Sequence, residues 1–208
     1  MTEQEVRQLV AEVMVLRNSP QWRTEDNALI QSGAVLHSQI GGADIRVRAA
    51  ELRDLSPGQL TLQSDLETGS SFAEDGLKMP PLMALGATGS EELAYDWGRA
   101  IGLEGRRLGL DLTWSPVLDV NTNPDNPIIN VRAFGEDADL VGRLGAAVTR
   151  GIRDADLEPC AKHWPGHGDV AVDSHISLPT VEVSRERLET IDWAPYRAAR
   201  QAGLESVM

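Results

Sequence analysis

Short apolar runs alternate with amphipathic stretches along the chain. Each run is bounded by Gly, Pro or polar turn residues, which is typical of a buried strand. Because predicted strands and predicted helices alternate, we expect an α/β fold built on a parallel sheet. The five predicted strands cover residues 34–38, 60–64, 110–117, 159–163 and 204–208.

The stretches between the strands predict helices with recognisable ends. Thr2 and Glu5 have the spacing of a capping box, and apolar residues at helical spacing extend the first helix to about Arg17. Residues 18–27 are polar and predict a loop, in which we expect Trp22 to pack on the outside of the fold. Further helices are predicted over residues 43–55, 90–108, 137–154 and 184–203, and residues 71–86 predict an aperiodic packing segment.

Composition narrows the class of protein. The 208 residues can build one sizeable core but fall short of the roughly 250 that a complete (β/α)₈ barrel needs. The formal net charge of -13 argues against nucleic acid or an anionic membrane as partner, so a small-molecule role is favoured. With a single cysteine, no apparent signal peptide and no long apolar run, we expect a cytoplasmic protein.

One segment concentrates the titratable residues. Residues 160–181 contain three of the four histidines of the chain, together with one lysine and two aspartates. Lys162 and His163 come at the end of a predicted strand, just before Pro165 and Gly166. In a (β/α) barrel, the carboxyl ends of the strands carry the residues that bind substrate and catalyse. The crowding therefore predicts a site.

Asp173 and His175 form a candidate acid/base pair within this segment. One residue separates them, so in extended backbone both side chains would point to the same side. A carboxylate beside an imidazole favours the imidazolium and orients the ring, which gives a proton donor that titrates near neutral pH. Such a pair can act in general acid/base catalysis.

Two other interpretations of the histidines remain open. Cys160, His163 and His167 have ligand-like spacing, and Asp173 or His175 could complete a zinc site. The spacing matches no closed structural zinc site, however, so we expect neither a metal nor another cofactor. The histidines could also be solvated loop residues, but their number in one short segment disfavours that interpretation.

The segment K-H-W-P-G-H-G-D-x-x-x-D-S-H-x-x-L-P, residues 162–179, resembles the signature of the family 3 glycoside hydrolases. It is most similar to the β-N-acetylglucosaminidase branch, which usually has Phe in place of Trp164. The β-glucosidase branch lacks the Asp-x-His loop and takes its acid/base from a separate carboxyl-terminal domain. The resemblance extends over roughly Ile30 to Met208.

This resemblance implies a fold and an activity. Residues 1–208 would form the leading part of an incomplete TIM-like (β/α) barrel, as one domain. The implied activity is release of terminal β-linked N-acetylglucosamine with retention, from a small carbohydrate such as a peptidoglycan fragment. His175 would be the acid/base and Asp173 would orient it.

The resemblance also assigns substrate-binding residues. Asp65 stands in D-L-E-T-G, which matches the family's Asp-x-Glu-Gly-Gly except for Thr68, while Ser70 occupies a position where arginine is frequent. Arg132 stands in R-A-F-G-E-D, where the family has R-S-F-G-E-D. With Lys162 and His163, these residues would hold sugar hydroxyls. For Asp119, which lies beside an Asn- and Pro-rich run, a structural role in a turn is favoured over sugar contact.

The family's nucleophile is an aspartate on a later barrel strand, beyond the position that matches Met208. Asp192 lies in a predicted helix, and we expect it not to reach the site. Residues 1–208 alone would then be inactive. A β-glucosidase-like hydrolase of another sugar and a truncated, non-catalytic carbohydrate-binding remnant remain as alternatives.

Overall fold

The computed structural model describes residues 1–18, 23–176 and 178–208. In these residues six parallel strands form one sheet, and each strand lies beside the strand that follows it along the chain. The sheet curls into part of a barrel, which confirms the predicted α/β, incomplete TIM-like architecture. The strands are β1 (Val15–Arg17), β2 (His37–Gln39), β3 (Thr61–Ser64), β4 (Leu112–Thr113), β5 (Glu158–Ala161) and β6 (Ser206–Val207).

Helices connect the strands and supply the rest of the core. Most buried apolar side chains of the strands and helices, among them Leu62, Ile101 and Val148, form one large cluster, and a smaller second cluster contains Ala161 and Tyr196. The helices are α1 (Glu3–Val13), α2 (Arg23–Gln31), α3 (Ile45–Leu55), α4 (Leu82–Thr88), α5 (Glu91–Arg107), α6 (Ala138–Arg153), α7 (Arg185–Arg187) and α8 (Ala194–Gln201), with a 3₁₀ turn at Asn130–Arg132 and a π turn at Leu188–Asp192.

The long helices begin where their capping residues predict. Ser90 Oγ accepts a hydrogen bond of 3.2 Å from the amide of Leu93 and so caps α5. Asp137 Oδ1 accepts one of 2.7 Å from the amide of Leu140 and caps α6. These two helices pack against each other, and α6 also packs against α8.

The first part of the chain differs from the prediction. Helix α1 ends at Val13 rather than near Arg17, because residues 15–17 pair in parallel with β2 and form β1. The sheet therefore has six strands where five were predicted. Residues 23–31 form α2, so the predicted loop over 18–27 is wrong in its second half. Trp22 lies outside the described residues.

Later differences are smaller. The strand predicted over 110–117 pairs only at Leu112–Thr113, apart from one bridge between Val117 and Lys162. Helix α4 lies in the segment predicted to be aperiodic. The helix predicted over 184–203 is divided into α7, the π turn and α8. Within the residues described, no helix is long and apolar enough to cross a membrane.

Candidate active site

Four of the six predicted site residues, Asp65, Arg132, Lys162 and His163, lie together at the carboxyl ends of the strands. Asp65 directly follows β3, and Lys162 and His163 directly follow β5. Arg132 lies in the 3₁₀ turn of the long connection after β4. Because the strands are parallel, their carboxyl ends lie on the same side of the sheet. Asp65 contacts Lys162, Arg132 contacts His163, and Glu67 joins the two pairs into one cluster.

Lys162 lies at the centre of the cluster. Its Nζ is 2.6 Å from Asp65 Oδ2 and 3.1 Å from Glu67 Oε2, and its side chain is 1% exposed. A buried ammonium is costly unless it is paired and hydrogen-bonded, and the two carboxylates provide that pairing. Asp65 is more open to solvent than Lys162 and can face a ligand.

Glu67 joins the two cations of the site. Its two carboxylate oxygens accept hydrogen bonds of 2.9 Å from Nε and Nη2 of Arg132, in addition to the contact with Lys162. Burial alone would raise the pKa of Glu67, but the hydrogen bonds and charges of Arg132 and Lys162 outweigh burial and lower it. Although burial opposes it, the pairing with Glu67 raises the pKa of Arg132. Glu67 is therefore an anion that fixes both cations.

Asp119 orients His163. The Nδ1 atom of His163 lies 2.6 Å from Asp119 Oδ2, and its Nε2 atom lies 3.3 Å from Arg132 Nη2. Since a guanidinium only donates, Nε2 must accept, so we assign the proton of the neutral ring to Nδ1, which donates to Asp119. Asp119 also accepts hydrogen bonds from the amides of His163 and His167. These contacts are structural, and the carboxylate is fully buried.

Side-chain amides organise the loop beyond Asp119. Asn126 Oδ1 accepts hydrogen bonds of 2.9 and 2.8 Å from the amides of Ile128 and Ile129, while its Nδ2 donates to the carbonyl of His167. Asn123 reaches the carbonyls of Asp169 and Val170. The loop after β4 thus supports the first half of the segment that contains the histidines.

Asp173 and His175 do form a pair. Asp173 Oδ1 lies 2.7 Å from His175 Nδ1 and accepts a hydrogen bond of 2.9 Å from the amide of His175. The Ile176 amide also donates to the carbonyl of Asp173, so the pair is held in a turn and not in the extended backbone that was predicted. The hydrogen bonds from the backbone and ring of His175 lower the pKa of Asp173. The His175 side chain is 76% exposed.

Two buried polar atoms of the site have no hydrogen-bond partner among the described residues: Asp65 Oδ1 and His167 Nε2. Buried polar atoms in proteins are nearly always satisfied, so such atoms in a site are candidates for contact with a ligand. Burial lowers the pKa of His167, which favours its neutral ring. The cluster therefore offers hydrogen-bond acceptors as well as cations to a polar ligand.

The zinc interpretation finds no support in the geometry. Within the described ranges, no group of three or more His, Cys, Asp or Glu side chains is arranged to hold a metal ion. Cys160 is buried on β5 and interacts with Ser206, and burial raises the pKa of its thiol. Asp192 lies in the π turn, 4.0 Å from Arg187, and burial raises its pKa.

Glu67 and Arg187 were not singled out from the sequence, and Asp119 was singled out only for a structural role in a turn. Glu67 stands two positions after Asp65, which is a spacing that can place both carboxylates on one side of an extended chain. Asp119 was noticed, but its contact with His163 spans 44 positions and has no local signal. Arg187 resembles an ordinary surface arginine of a helix until its contacts are known.

A polar, charge-paired cluster at the carboxyl ends of barrel strands is the arrangement of enzymes of the (β/α)-barrel class. Residues 1–208 match the family model described as the glycosyl hydrolase family 3 N terminal domain. The chain belongs to this family, which confirms the membership predicted from the motif.

Named relatives agree with this assignment. A beta-hexosaminidase of Neisseria meningitidis serogroup B is 34% identical over 173 residues, which are 79% of this chain and 48% of the relative. A beta-N-acetylglucosaminidase/beta-glucosidase of Cellulomonas fimi is 33% identical over 177 residues, 85% of this chain and 31% of the relative. The chain thus spans about half the length of the first of these relatives.

A solved structure has the same fold. The family 3 beta-N-acetylglucosaminidase of a Paenibacillus species superposes with a TM-score of 0.90 at 36% identity, over 100% of this chain and 41% of the other. The NagZ protein of Neisseria gonorrhoeae superposes with a TM-score of 0.81 at 27% identity, over 92% of this chain and 60% of the other.

Proposed function

We propose that this chain supplies the sugar-binding half and the acid/base of a retaining glycosidase that releases terminal β-linked N-acetylglucosamine. One observation carries the proposal: Asp65, Arg132, Lys162 and His163 form a cluster with Glu67, and the segment that supplies Lys162 and His163 continues into the loop that holds the Asp173–His175 pair. The named activities of the N. meningitidis and Paenibacillus relatives support the choice of sugar.

The cluster would bind the terminal sugar. Carboxylate oxygens of Asp65 accept hydrogen bonds from sugar hydroxyls, and the cations of Lys162 and Arg132 donate to hydroxyl oxygens. His163, with Nε2 directed to Arg132, lies beside them. Because Glu67 and Asp119 hold three of these groups before substrate arrives, little side-chain entropy is lost on binding.

His175 would be the general acid and then the general base. As the nucleophile attacks the anomeric carbon, the imidazolium of His175 gives its proton to the leaving oxygen; the neutral ring then takes a proton from the water that hydrolyses the glycosyl-enzyme. The hydrogen bonds from His175 lower the pKa of Asp173, so its carboxylate stays ionised and accepts a hydrogen bond from the ring. The nucleophile is proposed to be an aspartate of a later barrel strand, outside residues 1–208.

The natural substrate and the location of the protein can also be proposed. We propose peptidoglycan-derived fragments as the substrate and the cytoplasm as the location, on the strength of the family resemblance and the single cysteine. Beta-glucoside hydrolysis is the second candidate, because the C. fimi relative is named for both activities.

The proposal is tested by turnover of two matched substrates. In the catalytically active form of the protein, an aryl N-acetyl-β-glucosaminide and the corresponding aryl β-glucoside are compared by kcat/KM. We expect the N-acetylglucosaminide to be preferred. Preference for the glucoside would establish the second candidate, and binding of N-acetylglucosamine without turnover of either substrate would identify a carbohydrate-binding protein.

A further inference from the structure

We propose that Arg187 is a positioning residue that holds together the two ends of the acid/base loop, which we define as residues 170–183. The inference rests on the proposed function, since it concerns how His175 reaches the leaving oxygen. Arg187 is far from the acid/base pair in sequence and lies on α7, beyond the loop's exit. Its side chain nevertheless contacts Asp169, the residue immediately before the loop.

The loop itself offers few restraints. Its described residues are mostly exposed, with Ile176 at 85% and Leu178 at 95%. The hydrogen bonds of Asp173 run to His175 and Ile176, inside the same turn. The pair is thus locally ordered, and its placement relative to the sugar-binding cluster depends on the segments at the two ends of the loop.

Arg187 bridges these two segments. Its Nη2 donates a hydrogen bond of 2.7 Å to Thr122 Oγ1 and lies 3.2 Å from Asp169 Oδ1. Thr122 Oγ1 in turn donates a hydrogen bond of 3.1 Å to the same Asp169 oxygen. At the exit, Ser184 Oγ accepts a hydrogen bond from the backbone amide of Arg187 and caps α7. One residue therefore joins the entrance, the exit and the loop after β4.

Asp192 holds the guanidinium from its other side. Its Oδ2 forms an ion pair with Arg187 Nε at 4.0 Å, and that buried Nε atom has no hydrogen-bond partner among the described residues. Gly166 packs directly on this aspartate: a Cβ atom at Gly166 would lie 2.8 Å from Asp192 Cβ, and the glycine has φ +133°. Asp192 therefore contacts both the turn at Gly166, which precedes the loop, and the clamp residue Arg187, which follows it.

The residues that hold the sugar-binding cluster differ from those that hold the acid/base loop. The sugar-binding cluster is held by Glu67 and Asp119, which Arg187 does not contact. Asp169 lies four positions before Asp173, so loss of the guanidinium loosens the chain just before the acid/base pair, although Thr122 and Asn123 still bind Asp169. A general acid works only within hydrogen-bond reach of the oxygen it protonates. Loss of the clamp should therefore lower kcat and leave KM nearly unchanged.

The test compares Arg187→Ala with Arg185→Ala in the catalytically active form of the protein. Arg185 is the matched control, because it lies on the same short helix, is 82% exposed and pairs only with Glu189 among the described residues. For N-acetylglucosaminides with poor leaving groups, we expect Arg187→Ala to lower kcat about tenfold or more, with KM within about twofold. Activated aryl substrates should lose less in the glycosylation step, and Arg185→Ala should match the unmodified protein.

Amide hydrogen exchange of residues 171–176 provides a readout that does not depend on the substrate. We expect exchange to become faster in Arg187→Ala and to stay unchanged in Arg185→Ala. Asp169→Asn, which keeps the side-chain shape, should reproduce both effects, and it replaces Arg187→Ala if that variant does not fold. Unchanged exchange, or equal losses of kcat for good and poor leaving groups, would overturn the clamp. Absence of glycoside turnover in the unmodified protein would instead overturn the proposed function, and exchange would still decide the clamp.

Discussion

At the scale of single residues, the candidate site is governed by charge balance around Lys162. Its buried ammonium has two carboxylate partners, and one of them, Glu67, also holds Arg132. Removing one partner of a buried ion pair leaves an uncompensated charge, which costs much more than the pair itself contributes. Glu67 should therefore matter to stability as well as to binding.

We predict that Glu67→Gln lowers the free energy of unfolding by about 3 kcal/mol at pH 7 and raises KM. The pKa of Glu67 is lowered in the folded state, so its ionised form stabilises the fold above the ordinary pKa, and this stabilisation is lost as the pH falls. The difference between the two proteins should accordingly shrink below about pH 4.5. Urea unfolding at several pH values measures it.

Glu91→Gln is the control for this prediction. Glu91 pairs with Arg143 on the surface, where about half of each side chain is exposed, and such pairs contribute little. We expect a loss below about 1 kcal/mol. Equal losses for the two variants, or a Glu67 effect that is independent of pH, would contradict the role assigned to Glu67.

The residues that carry the motif could be predicted from the sequence, but their supports could not. Asp65, Arg132, Lys162 and His163 were assigned by resemblance, and the structure brings them together. Glu67 pairs with Arg132, 65 positions away, and Arg187 pairs with Asp169, 18 positions away, and no period or local motif encodes such contacts. A cluster such as the three histidines can be recognised in the sequence, whereas the role of a common residue such as Glu67 depends on neighbours that only the fold brings near.

At the scale of elements, the length of an element decided how well it was predicted. Helices α5 and α6 have complete apolar faces and good caps, and both begin where predicted. Strand β1 has three residues, and their spacing continues that of α1, so the local pattern could not distinguish helix from strand. Residues 15–17 form a strand because they pair with β2, a contact between distant parts of the chain that the local pattern does not contain.

Within the acid/base loop, Asp173 and His175 can be tested by separate substitutions. Asp173→Asn removes the carboxylate that accepts a hydrogen bond from the ring of His175, so turnover of substrates with poor leaving groups should fall. His175→Ala should lower turnover most for substrates with poor leaving groups, because these need protonation in the transition state.

Kinetics of the glycosylation step check both variants of the loop. The control is Lys78→Ala, a position that forms none of the contacts described for the site. Unchanged turnover of substrates with poor leaving groups in Asp173→Asn would argue against coupling within the pair. Equal losses for good and poor leaving groups in His175→Ala would show that another group is the acid.

At the scale of the whole molecule, the sheet has two edges in the part of the chain described, β1 and β6. Beside β6 lies an aromatic cluster in which Trp164 stacks on Trp193, with ring centroids 5.4 Å apart, and meets Tyr196 edge-on. Trp164 is half-exposed. Open strand edges next to apolar surface favour association with further strands.

We predict that a polypeptide of residues 1–208 does not hydrolyse an aryl N-acetylglucosaminide and associates with itself in solution. The reason is the proposed absence of the nucleophile from these residues, together with the open edges of the sheet. Turnover, light scattering and thermal unfolding of the purified polypeptide measure the outcome. Activity should return when the remaining strands are supplied in cis or by another chain. A monomeric, cooperatively unfolding and active polypeptide would refute this prediction.

The strands lie in the sheet in the order in which the ribosome makes them. A growing chain can therefore add each new strand to an edge that is already present, without threading past later segments. Asp65 and Glu67 are synthesised first, Arg132 follows, and Lys162 comes last. The carboxylates of Asp65 and Glu67 remain hydrated until Lys162 is made, which costs little free energy. The ammonium of Lys162 is then buried with both of its counter-ions already in place. Because synthesis proceeds from the amino terminus, the anions of the site are made before Lys162, and the lysine is never buried without a counter-ion.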